Sequence, residues 1–336
     1  MTMTRRQTLA MMAAAAAAAG LGAPALARTK TVVGALKLGS HAATYTAYDR
    51  GYFSDNGLEV ELKYFDAAQP MAVAIASGDV DFGITSITGG LVSLAEKGAV
   101  KVIGGALSEE KGISGQMILA SNEAFAAGAT DPSKLAGKRW GVTQAGSSFH
   151  YMGSKIAQAG GFGLEYIPLQ KVGAIIGALK SNQIDAWTIV PNVATGLVAS
   201  GAVHHIGMVA DFLPDYQVTT VFTSAKNAAE DRAKTQAFLA AFSQGVADFN
   251  AAMVDKTAGD AALEDMIALI HKYIAPDKEL SAARAGILAG AMRLNGGASM
   301  NVGSIQDQLD WFKAENLIKP EITFETVVDT SYVKTT

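Results

Sequence analysis

The sequence predicts an α/β protein of two lobes, each built on a largely parallel sheet. A first run of alternating strands and helices begins at Val32, and a second run with the same order begins at Arg139. In both runs the first strand leads through a short polar turn into a helix. Chains that alternate in this way form parallel sheets with helices on both faces. Two similar runs therefore predict two lobes whose ligand-facing loops lie at the carboxyl ends of the strands.

In the first run, glycines and polar turns separate the elements. Gly51 ends the first helix, Gly57 precedes the second strand, and Ser77-Gly78 ends the second helix. Asp81 then leads into the third strand and is predicted to accept hydrogen bonds from nearby backbone N–H groups. The predicted strands are 32–36, 58–65 and 82–85, and the predicted helices are 43–50, 69–76 and 86–97.

The second run follows the same order. After the turn at Gly146-Ser147-Ser148, a helix runs to Gln158, and Asp185 stands where Asp81 stands in the first run. We predict that Asp185 also accepts hydrogen bonds from backbone N–H groups. The predicted strands are 139–143, 164–169 and 186–190, and the helix between the last two is 173–180.

Two strand-like segments, 116–120 and 217–223, bracket the second run and are predicted to form a two-strand hinge. We therefore expect residues 28–119 plus 218–336 to form the first lobe and residues 120–217 to form an inserted second lobe. Beyond Ala225 the periodicity becomes helical. The predicted helices are 235–253, 261–274, 280–294 and 305–316, and 324–333 is predicted as a strand or an extended tail.

Residues 1–27 have the pattern of a signal peptide. Arg5-Arg6 supplies the positive start, Leu9 to Gly22 is an apolar run of 14 residues, and Ala25-Leu26-Ala27 is a cleavage site of the A-x-A type. As a helix, this run would reach about 21 Å, short of the ~30 Å hydrocarbon core of a bilayer. The arginine pair resembles the twin-arginine export signal, although Thr8 replaces its usual phenylalanine. We expect export and cleavage near Ala27, through the twin-arginine or the general secretory route.

Composition restricts the function. The 336 residues are 49% hydrophobic and 17% charged, with a net charge of −4, which is typical of a globular protein large enough for two domains. An acidic chain without a basic run is a poor candidate for binding nucleic acid. The chain has no cysteine, which excludes disulfides, thiolate metal sites and thiol catalysis.

Candidate ligand contacts lie at strand ends and helix starts. Hydroxyls and free backbone N–H groups there can hold a small anion without a full opposite charge, and an aromatic side chain could shelter an apolar tail. The candidates are Ser40, His41, Thr44, Thr85, Ser86, Thr88, Ser147, Ser148, His150, Trp187 and Asn192.

The sequence favours a binding protein over an enzyme. His204 and His205 are adjacent and diverge in a strand or a helix, and the other histidines have no companion at metal-ligand spacing. Neither a G-x-S-x-G elbow nor a phosphate-binding loop occurs. We therefore expect no metal, no cofactor and no catalytic residue. His41 and His150 are candidate hydrogen-bond donors to an anion, and they would strengthen its binding at acid pH if they become protonated in the site.

Four motifs carry a family resemblance. The segment 47–53 with 57–62, and then 74–83, 135–141 and 178–185, resemble in that order the signatures of periplasmic substrate-binding proteins of ABC importers for nitrate, sulfonate, taurine and thiamine-pyrimidine compounds. The resemblance spans the chain beyond the signal peptide. It implies a type II periplasmic binding fold, a periplasmic location, a monomer, and an ABC permease with its ATPase as partners.

The resemblance leaves the ligand open. No lysine or arginine stands at the candidate positions, so a sulfonate or carboxylate with an organic tail and a neutral heterocycle such as a thiamine pyrimidine both remain. Relatives that synthesise this pyrimidine use a cysteine-rich segment, and the lack of cysteine here argues against that chemistry. A sensing module that passes its closed state to a receptor is a third possibility.

Overall fold

The computed structural model describes residues 29–336, and the predicted signal peptide lies outside them. Two five-stranded mixed sheets organise this part of the chain. The strands are β1 Thr29–Ala35, β2 Leu58–Tyr64, β3 Phe82–Thr85, β4 Val100–Ser108, β5 Met117–Ser121, β6 Arg139–Val142, β7 Glu165–Pro168, β8 Ala186–Ile189, β9 Val203–Met208 and β10 Gln217–Ser224.

Helices cover both sheets. They are α1 Ala42–Asp49, α2 Tyr52–Asp55, α3 Ala68–Ala76, α4 Gly89–Glu96, α5 Asn122–Ala126, α6 Ser148–Gly160, α7 Val172–Lys180, α8 Pro191–Ala199, α9 Ala225–Glu230, α10 Arg232–Phe249, α11 Asp260–Ile274, α12 Leu280–Ala289, α13 Val302–Ala314 and α14 Phe324–Val327.

The two sheets share one topology, with strand orders β2-β1-β3-β10-β4 and β7-β6-β8-β5-β9. In each sheet the first three strands of the run are parallel, and the fourth position holds an antiparallel strand, β10 or β5. In the chain, β10 follows the strands of the second sheet but joins the first sheet, and β5 follows β1 to β4 of the first sheet but joins the second. The repeated α/β pattern is therefore confirmed, and each sheet has two further strands. One is the antiparallel strand from a predicted hinge segment, and the other is the edge strand β4 or β9, which the sequence analysis did not predict.

The two predicted hinge segments form β5 and β10, one in each sheet. The chain passes between the sheets through segments 109–116 and 209–216, which precede these strands. The two segments run side by side, since Glu109 N donates to Tyr216 O at 2.9 Å and Asp215 N donates to Glu109 O at 3.1 Å. These hydrogen bonds join the two segments on which any lobe movement depends.

Asp81 and Asp185 occupy equivalent places in the two sheets. Asp81 Oδ2 accepts from Val32 N at 2.7 Å, and Asp185 Oδ2 accepts from Arg139 N at 2.8 Å. Each carboxylate also pairs with a cation, Lys234 in the first sheet and Arg139 in the second. The predicted backbone hydrogen bonds are confirmed, and they tie the turn before β3 or β8 to the first strand of its run.

The helices that follow β10 complete the core of the first sheet. On α10, Phe238 stacks on Phe82 of β3 at 4.1 Å between ring centroids. A side chain at Gly245 would begin 2.3 Å from the carbonyl of Ala43, so α10 and α1 approach as closely as they do because this residue is glycine. By length and composition the helix 232–254 could cross a membrane, but half of it is buried inside the fold, as in a core helix.

Three details of the predicted carboxyl-terminal region are wrong. The predicted helix 280–294 ends at Ala289, and Leu294 forms a bridge to Leu107 of β4. The predicted helix 235–253 is α-helical only to Phe249 and continues as a π-helix, Asn250–Val254. The predicted strand or tail 324–333 begins as α14, capped by Thr323, whose hydroxyl accepts from Thr326 N. Only Val328 then makes a bridge to the first sheet, at Val102 of β4.

Candidate functional site

A cavity lies between the two sheets, at the loops that follow their strands, and its empty volume is about 570 Å³ including the part that is open to solvent. Both lobes contribute to its wall, and none of the lining residues is charged. Its polar residues are hydroxyls, amides and one imidazole, and its remaining residues are aliphatic, apart from Phe149 and Met152. The lining residues are Leu36, Leu38, Ser40, His41, Ala67, Ala68, Thr85, Ser86, Gln116, Thr143, Ser147, Ser148, Phe149, Met152, Val172, Ile189, Val190, Val218 and Thr219.

Six of the predicted ligand contacts line this cavity. They come from both lobes. They lie after β1, at or just after the end of β3, and after β6, where the repeated strand-turn-helix order predicted them. The six are Ser40, His41, Thr85, Ser86, Ser147 and Ser148. The two turns predicted to face a shared ligand therefore open into one space.

The turn after β6 has the features of an anion cradle. Ser147 caps α6, because its hydroxyl oxygen accepts from His150 N at 3.4 Å. The backbone N–H groups in the first turn of this 13-residue helix have no partner within the helix, and the helix dipole favours negative charge there. Ser147 and Ser148 line the cavity at this end of the helix.

The other five predicted contacts do not line the cavity. Thr44 is fully buried in α1. Thr88 caps α4 by accepting from Leu91 N and donates to Gln69, so its hydroxyl is used locally.

The remaining three are His150, Trp187 and Asn192. His150 Nδ1 accepts from Gly146 N at 3.1 Å, which leaves the ring behind the cradle. Trp187 is fully buried beneath Phe149, at 5.2 Å between ring centroids. Asn192 binds the backbone of the other lobe. A residue at a strand end or helix start can cap a helix, pack in the core or face a cavity. Its position in the sequence does not show which of these it does.

Sequence analysis missed three polar lining residues, Gln116, Thr143 and Thr219. Thr143 directly follows β6, so the strand-end argument could have found it. Gln116 ends the first segment that crosses between the sheets, and Thr219 lies near the start of β10, which follows the second such segment. No local motif indicates that these side chains reach the cavity. The topology alone places them there.

Three of the lining side chains hold polar atoms without a partner. His41 Nδ1, Gln116 Oε1 and Thr219 Oγ1 are buried and make no hydrogen bond within the protein. A buried polar group left unpaired costs about 1–3 kcal/mol, and such groups in native proteins are nearly always paired with protein, water or ligand. Their presence in one cavity wall indicates a site for a polar ligand.

The histidines of the site are neutral. Burial lowers the pKa of His41 to about 3 and also lowers the pKa of His150 below its usual value. With a pKa of about 3, His41 carries no charge at neutral or mildly acid pH. His41 therefore does not meet the condition, protonation in the site, on which stronger anion binding at acid pH depends. Burial also disfavours the charged form of His150, which lies outside the cavity wall.

Direct contacts close the two lobes on each other. Gly39 N donates to Asn192 Oδ1 at 3.2 Å, and Gly89 N donates to the carbonyl of Gly146 at 3.0 Å.

A third set of contacts joins α13 to α6. Trp311 Nε1 donates to Ser154 Oγ at 2.9 Å, and Lys155 pairs with Asp307 at 2.8 Å. The structure is thus a closed form in which the cavity lies between the lobes.

Among residues 29–336, no group of three or more histidine, cysteine, aspartate or glutamate side chains could hold a metal ion. The cavity wall contains a histidine and several serines, but no carboxylate accompanies them. The arrangement can therefore bind through hydrogen bonds and apolar contact.

Solved structures that share this fold include three binding proteins. The ligand-binding component of an ABC-type import system from Staphylococcus aureus, with zinc bound, is 13% identical, with a TM-score of 0.71, over 91% of this chain and 98% of that one. The alkanesulfonate-binding protein SsuA from Xanthomonas axonopodis pv. citri, bound to MOPS, is 14% identical, with a TM-score of 0.69, over 92% and 100%. The periplasmic aliphatic sulphonate-binding protein SsuA from Escherichia coli is 17% identical, with a TM-score of 0.65, over 89% and 97%.

The fold also occurs in an enzyme, the desulfurization enzyme DSZB, which is 14% identical with a TM-score of 0.58, over 91% of this chain and 97% of that one. At these identities the likeness concerns the fold.

No curated protein matches the sequence. The profile of the NMT1/THI5-like family matches residues 39–252, which is more than half of the chain. The protein therefore belongs to the NMT1/THI5-like family and has the type II periplasmic binding protein fold.

Proposed function

We propose that the protein is the solute-binding component of an ABC importer, which captures a small organic anion of the sulfonate or carboxylate type. The observation that carries this proposal is the cavity between the two sheets, whose wall combines hydroxyls, amides and a helix N-terminus with aliphatic side chains. Closed, mostly apolar pockets with a few polar groups are typical of small-molecule sites. Two of the relatives with this fold are named for binding sulfonates.

The wall favours an anion of low charge with an organic part. No lysine or arginine lines the cavity, so a densely charged oxyanion would lack an ion pair. A single sulfonate or carboxylate group can instead accept hydrogen bonds from serine hydroxyls and from the N–H groups of α6. The aliphatic residues, such as Leu38 and Ile189, then cover the carbon skeleton.

Capture would proceed by closure. The moving units of this proposal are the two sheets with their helices, which separate about segments 109–116 and 209–216. These segments lie close to the lobe boundaries predicted from the sequence, at residues 119/120 and 217/218. A ligand that touches both lobes stabilises the closed form by its preference for that form. The closed monomer would then deliver the ligand to a permease and its ATPase at the inner membrane, after export to the periplasm by the signal peptide at residues 1–27.

A neutral heterocycle such as a thiamine pyrimidine is the second candidate. Neutral His41 and Gln116 Oε1 can accept hydrogen bonds from N–H groups of a ring, and the wall has no charge to discriminate against a neutral ligand. Serine and histidine in this wall are not arranged with a carboxylate as a catalytic triad would be, which supports binding without turnover.

The test is a thermal-shift screen with nitrate, alkanesulfonates, aliphatic carboxylates and pyrimidines, together with mass spectrometry of ligands that co-purify under native conditions. A ligand that binds only the folded protein raises the melting temperature with its concentration. Ser148→Trp fills the cavity and should abolish the shift, whereas Ser181→Trp, on the surface of the same lobe, should keep it. The absence of a shift with every compound would contradict a role in import.

A further inference from the structure

We propose that the ligand cavity continues into an outer subsite that binds the tail of the ligand, so that the substrates are amphipathic anions with an extended aliphatic or aromatic chain. This inference rests on the proposed function. The outer subsite is a second cavity with about 850 Å³ of empty space, open on one side to solvent. Beside the three residues that it shares with the inner cavity, it is lined by Lys37, Tyr64, Phe65, Asp66 and Gly173.

The two cavities share part of their wall. Leu36, Leu38 and Val172 line both the inner cavity and the outer subsite. Leu36 and Leu38 follow β1 in the first lobe, and Val172 begins α7 in the second. These three aliphatic side chains form the partition between the two cavities, so a rotamer change among them would let an apolar chain pass from the inner cavity into the outer subsite.

The backbone at this passage is held in place. The hydroxyl of Tyr45 donates to the carbonyl of Leu36, and its ring stacks on Tyr273 at 4.7 Å between centroids. On the far side of the outer subsite, Phe65 N donates to the carbonyl of Ala35 at 2.9 Å. These bonds make the passage a built feature of the first lobe.

The chemistry of the outer subsite suits a chain more than a charged head group. Tyr64 is 40% exposed, which is high for an aromatic residue, and Lys37 Nζ lies 5.4 Å from the centroid of its ring. The aromatic face and the methylene stem of the lysine offer an apolar platform. Lys37 and Asp66 at the rim supply charges of both signs, so the outer subsite gives no net attraction for the anionic head.

The inner and outer cavities therefore bind different parts of the ligand. The head binds to the hydroxyls and N–H groups around Ser147, and each methylene that reaches the passage or the outer subsite adds apolar burial. Burial of one methylene strengthens binding about fourfold. Affinity should rise with chain length until the tail extends beyond Tyr64 into solvent.

Gly173 allows a clean test, because it lines the outer subsite but not the inner cavity. A side chain at Gly173 would begin with no heavy atom within 4 Å, and the same holds for Gly177, one turn later on α7 and outside both cavities. Gly173→Trp thus fills the outer subsite, and Gly177→Trp is the matched control. Calorimetric titration of the full mature chain with ethane-, butane-, hexane- and octanesulfonate measures the effect.

We expect affinity for wild type and Gly177→Trp to rise by at least tenfold from the two-carbon to the eight-carbon compound. Gly173→Trp should bind ethanesulfonate within about twofold of wild type and lose most of this rise. Equal affinity for all four compounds, or equal behaviour of the two variants, would overturn the outer subsite while leaving anion capture intact. Failure of wild type to bind any of the four would instead overturn both proposals.

Discussion

Asn192 Oδ1 accepts a hydrogen bond from the backbone N–H of Gly39 at 3.2 Å and so joins the start of α8 to the turn that carries Ser40 and His41. Asn192 also lies where α12 approaches α8, since a side chain at Gly286 would begin 3.0 Å from the carbonyl of Asn192. Although predicted as a ligand contact, Asn192 acts on the backbone of the opposite lobe. Its amide stabilises the closed form without facing the cavity.

Asn192→Ala should weaken ligand binding about two- to tenfold, because one hydrogen bond worth about 0.5–1.5 kcal/mol is lost from the closed form. The cavity wall itself is unchanged, so ligand preference should stay the same. Calorimetry with a compound found by the thermal-shift screen measures this loss. Thr195→Ala, on the same helix, is the control, and equal losses in both variants would rule out a specific closing bond.

Thr219→Val should weaken ligand binding by about fivefold and leave the free protein as stable as before or more stable by up to about 1 kcal/mol. Thr219 Oγ1 is buried without a partner in the cavity wall, so its removal relieves an unpaired group in the absence of ligand. The next residue is the control. Thr220 Oγ1 donates to the carbonyl of Thr85 at 3.2 Å, so Thr220→Val should lose stability.

Denaturant titration of both variants, with and without ligand, separates these effects. A fall in the free energy of unfolding of ligand-free Thr219→Val would contradict the assignment of this hydroxyl to the ligand.

The protein should lose stability between about pH 4.5 and pH 7 because of Glu109. Burial raises the pKa of this carboxyl to about 7, although it accepts a hydrogen bond from Gln116 N at 3.0 Å. In the unfolded chain Glu109 loses its proton near pH 4.5, so across this window the unfolded state binds fewer protons than the folded state. Stability therefore falls as the pH rises, by up to about 3 kcal/mol.

Glu109→Gln removes this ionisation and keeps the shape of the side chain. Its melting temperature should change less with pH than that of wild type, with the largest advantage at pH 8. Glu110→Gln, at a half-exposed neighbour that pairs with Arg293, is the control. Parallel melting curves for wild type and Glu109→Gln would exclude a buried acid with a raised pKa.

The contribution of His41 to binding should not change between pH 5 and pH 8. With a pKa lowered to about 3, the imidazole is neutral throughout this range. The ratio of the affinities of wild type and His41→Ala should therefore stay constant, even where Glu109 makes both affinities depend on pH. A ratio that rises at acid pH would indicate a charged His41 and would restore the original interpretation of this residue.

Local signals in the sequence predicted the fold well. Asp81 and Asp185 follow similar helix ends, and each accepts from the backbone of the first strand of its run, at Val32 or Arg139. Their equivalent places in the repeated α/β pattern were therefore enough to predict this role. Thr88 and Ser147 show the limit of this reasoning. Both cap a helix after a strand, yet only Ser147 faces the cavity, because the choice depends on what the other lobe brings near.

Gln116 and Thr219 lay beyond prediction for a related reason. The segments that hold them were predicted as the hinge between the lobes. Which of their side chains faces the cavity depends on how the two sheets come together, and no local pattern indicates that. The π-helix after α10 is a similar case, since its sequence, Asn250–Val254, continues an ordinary helical pattern. Packing against neighbouring helices decides such details.

The exchange of β5 and β10 makes the two halves of the molecule interdependent during biogenesis. In the first sheet, β10 lies between β3 and β4 and pairs with both, so β4 gains its neighbour only after residue 217 has been synthesised and has returned from the other lobe. A chain that ends before this strand leaves the edge strand β4 separated from β2, β1 and β3. Assembly thus depends on contacts between residues more than one hundred positions apart, which favours slow, late completion of the native state.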